Sequence, residues 1–163
     1  MHSTDLTVAA IVERNGRFLL VDEYSSGRRV LSQPGGHIEA GESPEDAVNR
    51  ETLEETGCIV ECGELIGSYL WTNPHTRQQF LRIMFAASYR GSDATTVLDS
   101  GIIGPVWLSP GEIESRGAML RSPAVLKGIN DYLAGRRQKD GLPTDMLPLQ
   151  RNVHKVIATA DRV

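Results

Sequence analysis

The chain has 163 residues, 40% hydrophobic and 23% charged, which suits one soluble domain with a real core. Its 17 basic and 21 acidic side chains leave a net charge of −4 without a basic tract, which excludes nucleic-acid binding through a charged surface. The sequence shows no run of about 20 apolar residues for a membrane span, and the start, MHSTDLTVAA, does not read as a signal peptide.

In chain order, Leu6 to Arg14 alternates and reads as a strand. Asn15-Gly16 is a tight-turn signal, and Arg17 to Glu23 resumes as the second strand of a hairpin. Ser25-Ser26-Gly27 is a loop, and Arg28 to Leu31 is a short strand. Gln33-Pro34-Gly35-Gly36 breaks regular structure before Gly36 to Ile38 re-enters a sheet. Ser43 caps a helix, with Pro44 in its first turn and Asp46 at the capping position. That helix runs to about Thr56, where Gly57 ends it. Val60 to Trp71 and Gln79 to Tyr89 form a long strand pair. A polar loop from Arg90 to Ser100 leads to a short strand, Val106 to Leu108. Ser109 to Glu112 starts a helix with a capping box. Ser122-Pro123 opens another helix to about Ala134, its apolar side carrying Val125, Ile129, Tyr132 and Leu133. The domain closes near residue 140. Residues 141–163, with Pro143 and Pro148, form a tail that packs on the domain or stays disordered.

Cys58 and Cys62 lack further Cys or nearby His to complete a metal site. They read as free thiols, which fits a reducing cytoplasm.

The segment from Gly35 to Cys58 carries the chemistry. Glu51, Glu54 and Glu55 stand at i, i+3 and i+4, on one face of the helix. Clustered acids repel, and no lysine in this helix offsets them. A divalent cation reverses that energy, because hard cations take carboxylate oxygens and meet substrate phosphates. Ala47 falls on the same arc and leaves room for the ions. Arg50, four residues before Glu54, holds that carboxylate by a bidentate pair. Gly35-Gly36 lets the backbone approach a ligand, and the Gly36 carbonyl can complete a metal shell. Glu42 either fixes its loop, binds metal directly or through water, or favours the helix dipole.

Gly36, Glu42, Arg50, Glu51, Glu54, Glu55 and Gly57 together spell a pattern that resembles the signature of the Nudix hydrolases. Thr52 and Cys58 depart from it, where the family usually has aliphatic residues. Gln33-Pro34, Phe80-Leu81-Arg82, Trp107 and Leu120 to Pro123 resemble one bacterial phosphatase subgroup, over about residues 5–135. The resemblance implies an α/β fold, the Nudix α/β/α sandwich with a mixed β-sheet. It also implies hydrolysis of small-molecule phosphoanhydrides with Mg²⁺ or Mn²⁺. The subgroup releases phosphate from nucleoside tri- and diphosphates and acts on hydroxymethylpyrimidine pyrophosphate. Glu51, Glu54 and Glu55 would hold metal with the Gly36 carbonyl, and one of them would serve as base. Asp99, a turn-forming residue by its setting, is the candidate acid outside the box. Arg28, Arg82 and Arg121 are candidate phosphate contacts. Gln33 and His37 are candidate pocket residues. Tyr69 and Trp71 share a strand face and either stack on a substrate ring or pack in the core.

Two other readings stand beside this one. The same fold could hydrolyse a nucleoside diphosphate sugar or a dinucleoside polyphosphate. A non-catalytic nucleotide sensor belongs to a different class, but such modules tend to lose the acids retained here. The working unit is a monomer or a homodimer, with neither nucleic acid nor membrane as partner.

Overall fold

The computed structural model describes residues 3–137. The expected tail at 141–163, and the boundary at 140, lie outside the described residues.

Among the described residues, eight strands and three helices follow in order. The first five strands are β1 (Thr4–Ile11), β2 (Glu13–Arg14), β3 (Arg17–Ser25), β4 (Arg28–Ser32) and β5 (Gly35–His37). Helix α1 (Pro44–Thr56) leads to β6 (Cys58–Thr72), β7 (Gln79–Ser92) and β8 (Ile102–Leu108). Helix α2 (Pro110–Ser115), a 3₁₀ turn at Gly117–Met119 and α3 (Ala124–Leu133) complete the described chain. One sheet has the order β5-β1-β7-β6, and the other places β3 between β4 and β8, with β2 also on β3. Strands β1 and β7 are parallel while β5 and β6 join antiparallel, so the sheet is mixed.

The alternation in β1 builds the layers. Val8 and Ala10 join a core cluster with Ala47 and Val48 of α1. Ala9 and Ile11 point the other way, into a cluster with Val125 and Ile129 of α3. A strand covered on both faces is apolar throughout, and residues 8–11 are all buried. Burying a side chain such as that of Val8 or Ile11 contributes roughly 1.5–3 kcal/mol. The sandwich expected from the sequence is the one found.

Local chemistry explains most boundaries. Asn15 and Gly16 have φ of 52° and 74°, the left-handed pair that a two-residue hairpin requires. The Ser43 hydroxyl accepts the Asp46 N–H, and Gly57 ends α1 at φ 71°. The capping box at Ser109 and Glu112 is complete.

Four expectations need correction. The strand read as Leu6 to Arg14 is divided at Val12, where the chain passes from one sheet to the other. Ser26-Gly27 is a tight turn rather than a loop, so β3 and β4 form a second hairpin. Strand β8 starts at Ile102, because Gly104 and Pro105 remain in register with β3 despite their low strand propensity. Leu133 is 51% exposed, while Tyr132 turns inward, edge-on to Phe18.

Strand β6 is outermost in its sheet and carries three register shifts against β7. The side-chain oxygen of Asn49, from α1, accepts the Cys62 N–H at 2.9 Å.

Candidate active site

Helix α1 presents Glu51 and Glu54 where its N-terminal loop and the 93–101 loop converge. That second loop is tied to the helix end. The Asp93 N–H donates to the Gly57 carbonyl at 2.8 Å, and the Asp99 N–H to the Glu54 carbonyl at 3.3 Å. Carboxylate oxygens of Glu51, Glu54 and Asp99 thereby lie within 4.8 Å of one another. Glu42 and Glu55 stand outside this group.

Arg50 holds the wall together. Its Nε and Nη2 form the bidentate pair with Glu42, at 2.7 and 3.0 Å, and not with Glu54 as the sequence suggested. Nη1 donates singly to Glu51 and Glu54, each at 3.0 Å, and Nη2 also reaches the His37 carbonyl. The spacing of eight residues to Glu42 spans a loop and a turn of helix, which a helical wheel does not show. Glu42 also accepts the Glu39 N–H, so it fixes the loop. Its pKa is lowered, first by the Arg50 hydrogen bond.

The glycines set the approach. A Cβ on Gly36 would lie 2.6 Å from Glu51 Oε1, and one on Gly35 would strike the Val8 carbonyl of β1. Ala47, expected to leave room for ions, is instead wholly buried beneath the helix. The sheet claims that side of the arc.

Burial raises the Glu51 pKa, and Glu54 and Asp99 push the same way against Arg50. Burial moves Glu55 further, to about 8, with Glu23 and Glu51 adding to it. Three converging acids, two of them sharing Arg50, form a donor set that suits a divalent cation.

Beside these acids lies a cavity of about 360 Å³. Glu51 and Glu55 line one side, Arg82 and Arg121 supply positive charge, and Tyr69 and Trp71 form an aromatic wall. Arg82 Nη2 donates to the Gln33 carbonyl at 2.8 Å. Burial, then Arg121, lowers its pKa to about 10, which leaves it charged at neutral pH. Arg121 pairs with Glu23 at 3.0 Å. His37 lines the cavity, with its ring 3.7 Å from Asp5.

Two candidates lie elsewhere. Arg28 donates to the Ala118 carbonyl and lines an adjoining groove. Gln33 is buried and donates to the Val125 carbonyl at 2.8 Å, tying the β4–β5 turn to α3. Both tasks arise from long-range packing that a single sequence does not display. Sequence reasoning gave no pocket role to Thr7 or to Phe80, which also line the cavity. A lone Thr in line with Ala9 and Ile11 on the inward face of β1 was the available signal.

The comparisons with known proteins agree. The family model described as the NUDIX domain matches residues 3–127. The phosphatase NudJ of Escherichia coli K12 is 36% identical over 137 residues, covering 84% of this chain and 88% of that protein. A NUDIX hydrolase structure from Nitrosomonas europaea superposes with a TM-score of 0.80 at 40% identity, covering 89% of this chain and 96% of that one. An ADP-ribose pyrophosphatase structure from Streptococcus suis has a TM-score of 0.60 at 18% identity, covering 86% and 97%, which is a likeness of fold alone. The chain belongs to the NUDIX family and is a hydrolase of phosphorus-containing acid anhydrides.

Proposed function

We propose that this hydrolase is a Mg²⁺-dependent phosphatase, releasing phosphate from nucleoside tri- and diphosphates and from hydroxymethylpyrimidine pyrophosphate. Mn²⁺ is the expected substitute. The similarity to the phosphatase NudJ supports the reaction type. The observation that carries the reading is the convergence of Glu51, Glu54 and Asp99 beside a cavity containing Arg82 and Arg121.

Glu51, Glu54 and Asp99 would hold the cation, with Glu55 and the Gly36 carbonyl contributing from the cavity side. The cation supplies charge neutralisation at the phosphoryl oxygens and a lowered pKa for water. Arg50 orients two of the carboxylates, and its pair with Glu42 fixes Arg50 in turn. One box carboxylate takes the proton from water. Arg82 and Arg121 meet the remaining phosphate charge. The Trp71 and Phe80 rings, 6.0 Å apart with planes at 24°, offer a face for a planar ring.

The test is a hydrolysis screen with Mg²⁺ or Mn²⁺, identifying phosphate, pyrophosphate or monophosphate as product. Hydroxymethylpyrimidine pyrophosphate and common nucleotides should yield phosphate. Release of nucleoside monophosphate from nucleotide sugars or dinucleoside polyphosphates alone would replace this reading. Glu54→Gln with Glu55→Gln should lower turnover by at least about a hundredfold. Full activity in that double variant would remove the metal site from the account.

A further inference from the structure

The cavity floor follows one row across four strands. His37 of β5, Thr7 of β1, Arg82 of β7 and Tyr69 of β6 are neighbours in register, and all four line the cavity. The His37 ring stands by Asp5. The Tyr69 hydroxyl donates to Asp131 at 2.8 Å. Arg82 donates through Nη2 to Gln33 and Ser32. Thr7 differs from them. It is only 5% exposed, and its hydroxyl has no hydrogen-bond partner. Arg82 Nε, on the adjacent strand, is likewise buried and unpaired.

An unpaired buried hydroxyl has lost its water without gaining a bond in return, which destabilises the fold. Valine has nearly the same shape and suits a strand equally well, without that cost. A buried hydroxyl without a partner, on a residue that lines the cavity and faces in register an arginine whose Nε–H is also unpaired, calls for a ligand atom. Arginine can only donate, and threonine can donate as well as accept. Donors on two facing residues of neighbouring strands match one oxygen with several lone pairs and negative charge.

Resting on the phosphoanhydride reading above, we propose that Thr7 is a substrate-binding residue. Its hydroxyl and the Arg82 Nε–H together hold one phosphoryl oxygen of the substrate. The row places this anchor between the acids of α1 and the aromatic pair Trp71 and Phe80. The sheet would thus hold the phosphate from the side opposite the acids that would bind the cation, with any ring directed toward the aromatics.

Thr7→Val and Thr7→Ser test this. The probes are methylenediphosphonate and α,β-methylene-ADP, which bind without being cleaved, titrated calorimetrically with Mg²⁺ present. Thr7→Val should weaken both by about tenfold, and Thr7→Ser should restore most of the loss. Mn²⁺ binding without ligand should be unchanged. The melting temperature of ligand-free Thr7→Val should equal or exceed that of the unaltered chain, since an unpaired hydroxyl has gone. Unchanged affinity for both probes in Thr7→Val overturns the inference alone. Equal loss in Thr7→Ser and Thr7→Val, with lowered melting temperature in both, makes Thr7 a packing residue and also overturns it. Failure of the unaltered chain to bind either probe or cleave any phosphoanhydride overturns the proposed function and this inference together.

Discussion

Arg50 sets the resting form of the acidic wall, because one guanidinium serves Glu42, Glu51, Glu54 and the His37 carbonyl. The box acids were legible from spacing alone, since i, i+3 and i+4 define a helical face. The partner of the Arg50 fork was not, because it depends on how the 38–43 loop folds back. For Thr7 the sequence showed a hydroxyl in line with Ala9 and Ile11, but not that nothing reaches it across the sheet. The two adjacent glycines are separable by experiment. A Cβ at Gly36 meets the movable end of Glu51, whereas one at Gly35 meets fixed backbone. Gly36→Ala should weaken Mn²⁺ binding about tenfold while changing stability by roughly 0.5 kcal/mol or less. Gly35→Ala should cost about 2–3 kcal/mol in urea unfolding. Equal stability losses in the two variants would contradict this division.

Helix α1 was readable from its ends: Ser43, Pro44 and Gly57 each act as the sequence suggests. Helix α3 was readable from its period, apart from Leu133. What no period reveals is Asp131, buried on α3 and bonded to Tyr69 at 2.8 Å and Lys127 at 2.8 Å. Burial alone would raise its pKa, but the hydrogen bonds from Lys127 and Tyr69 and the charge of Arg136 carry it below the usual value. A carboxylate with a depressed folded pKa stabilises above its unfolded pKa and loses that contribution as pH falls through the folded one. Asp131→Asn should therefore be less stable than the unaltered chain at pH 7. The gap should close as pH falls below the ordinary aspartate value of about 3.9, by urea unfolding at stepped pH. A gap independent of pH would mean that shape, not charge, is what Asp131 contributes.

Across the whole molecule, the order of elements was legible, while the pairing of strands was not. The parallel contact of β1 with β7 joins segments more than 70 residues apart, and no local signal encodes it. The same is true of Asp99, which reaches the α1 acids only because its loop is hydrogen-bonded to the helix end. A cation bridging that loop to the helix should stabilise the folded chain as a unit. At a concentration about a hundred times its dissociation constant, Mg²⁺ should add roughly 2.7 kcal/mol to unfolding, and a chelator should remove it. An unfolding curve indifferent to both would place the ion elsewhere. Among the described residues, no helix is long and apolar enough to cross a membrane. Strand β6 has a further consequence at this scale. Fifteen residues along the rim of a sheet are a template on which a second chain could polymerise. The kinks at its three slipped positions, and the amide of Asn49 seated on the Cys62 N–H, spoil that template. An edge interrupted in this way is poorly matched to a regular incoming strand, which disfavours fibrous stacking in a crowded solution.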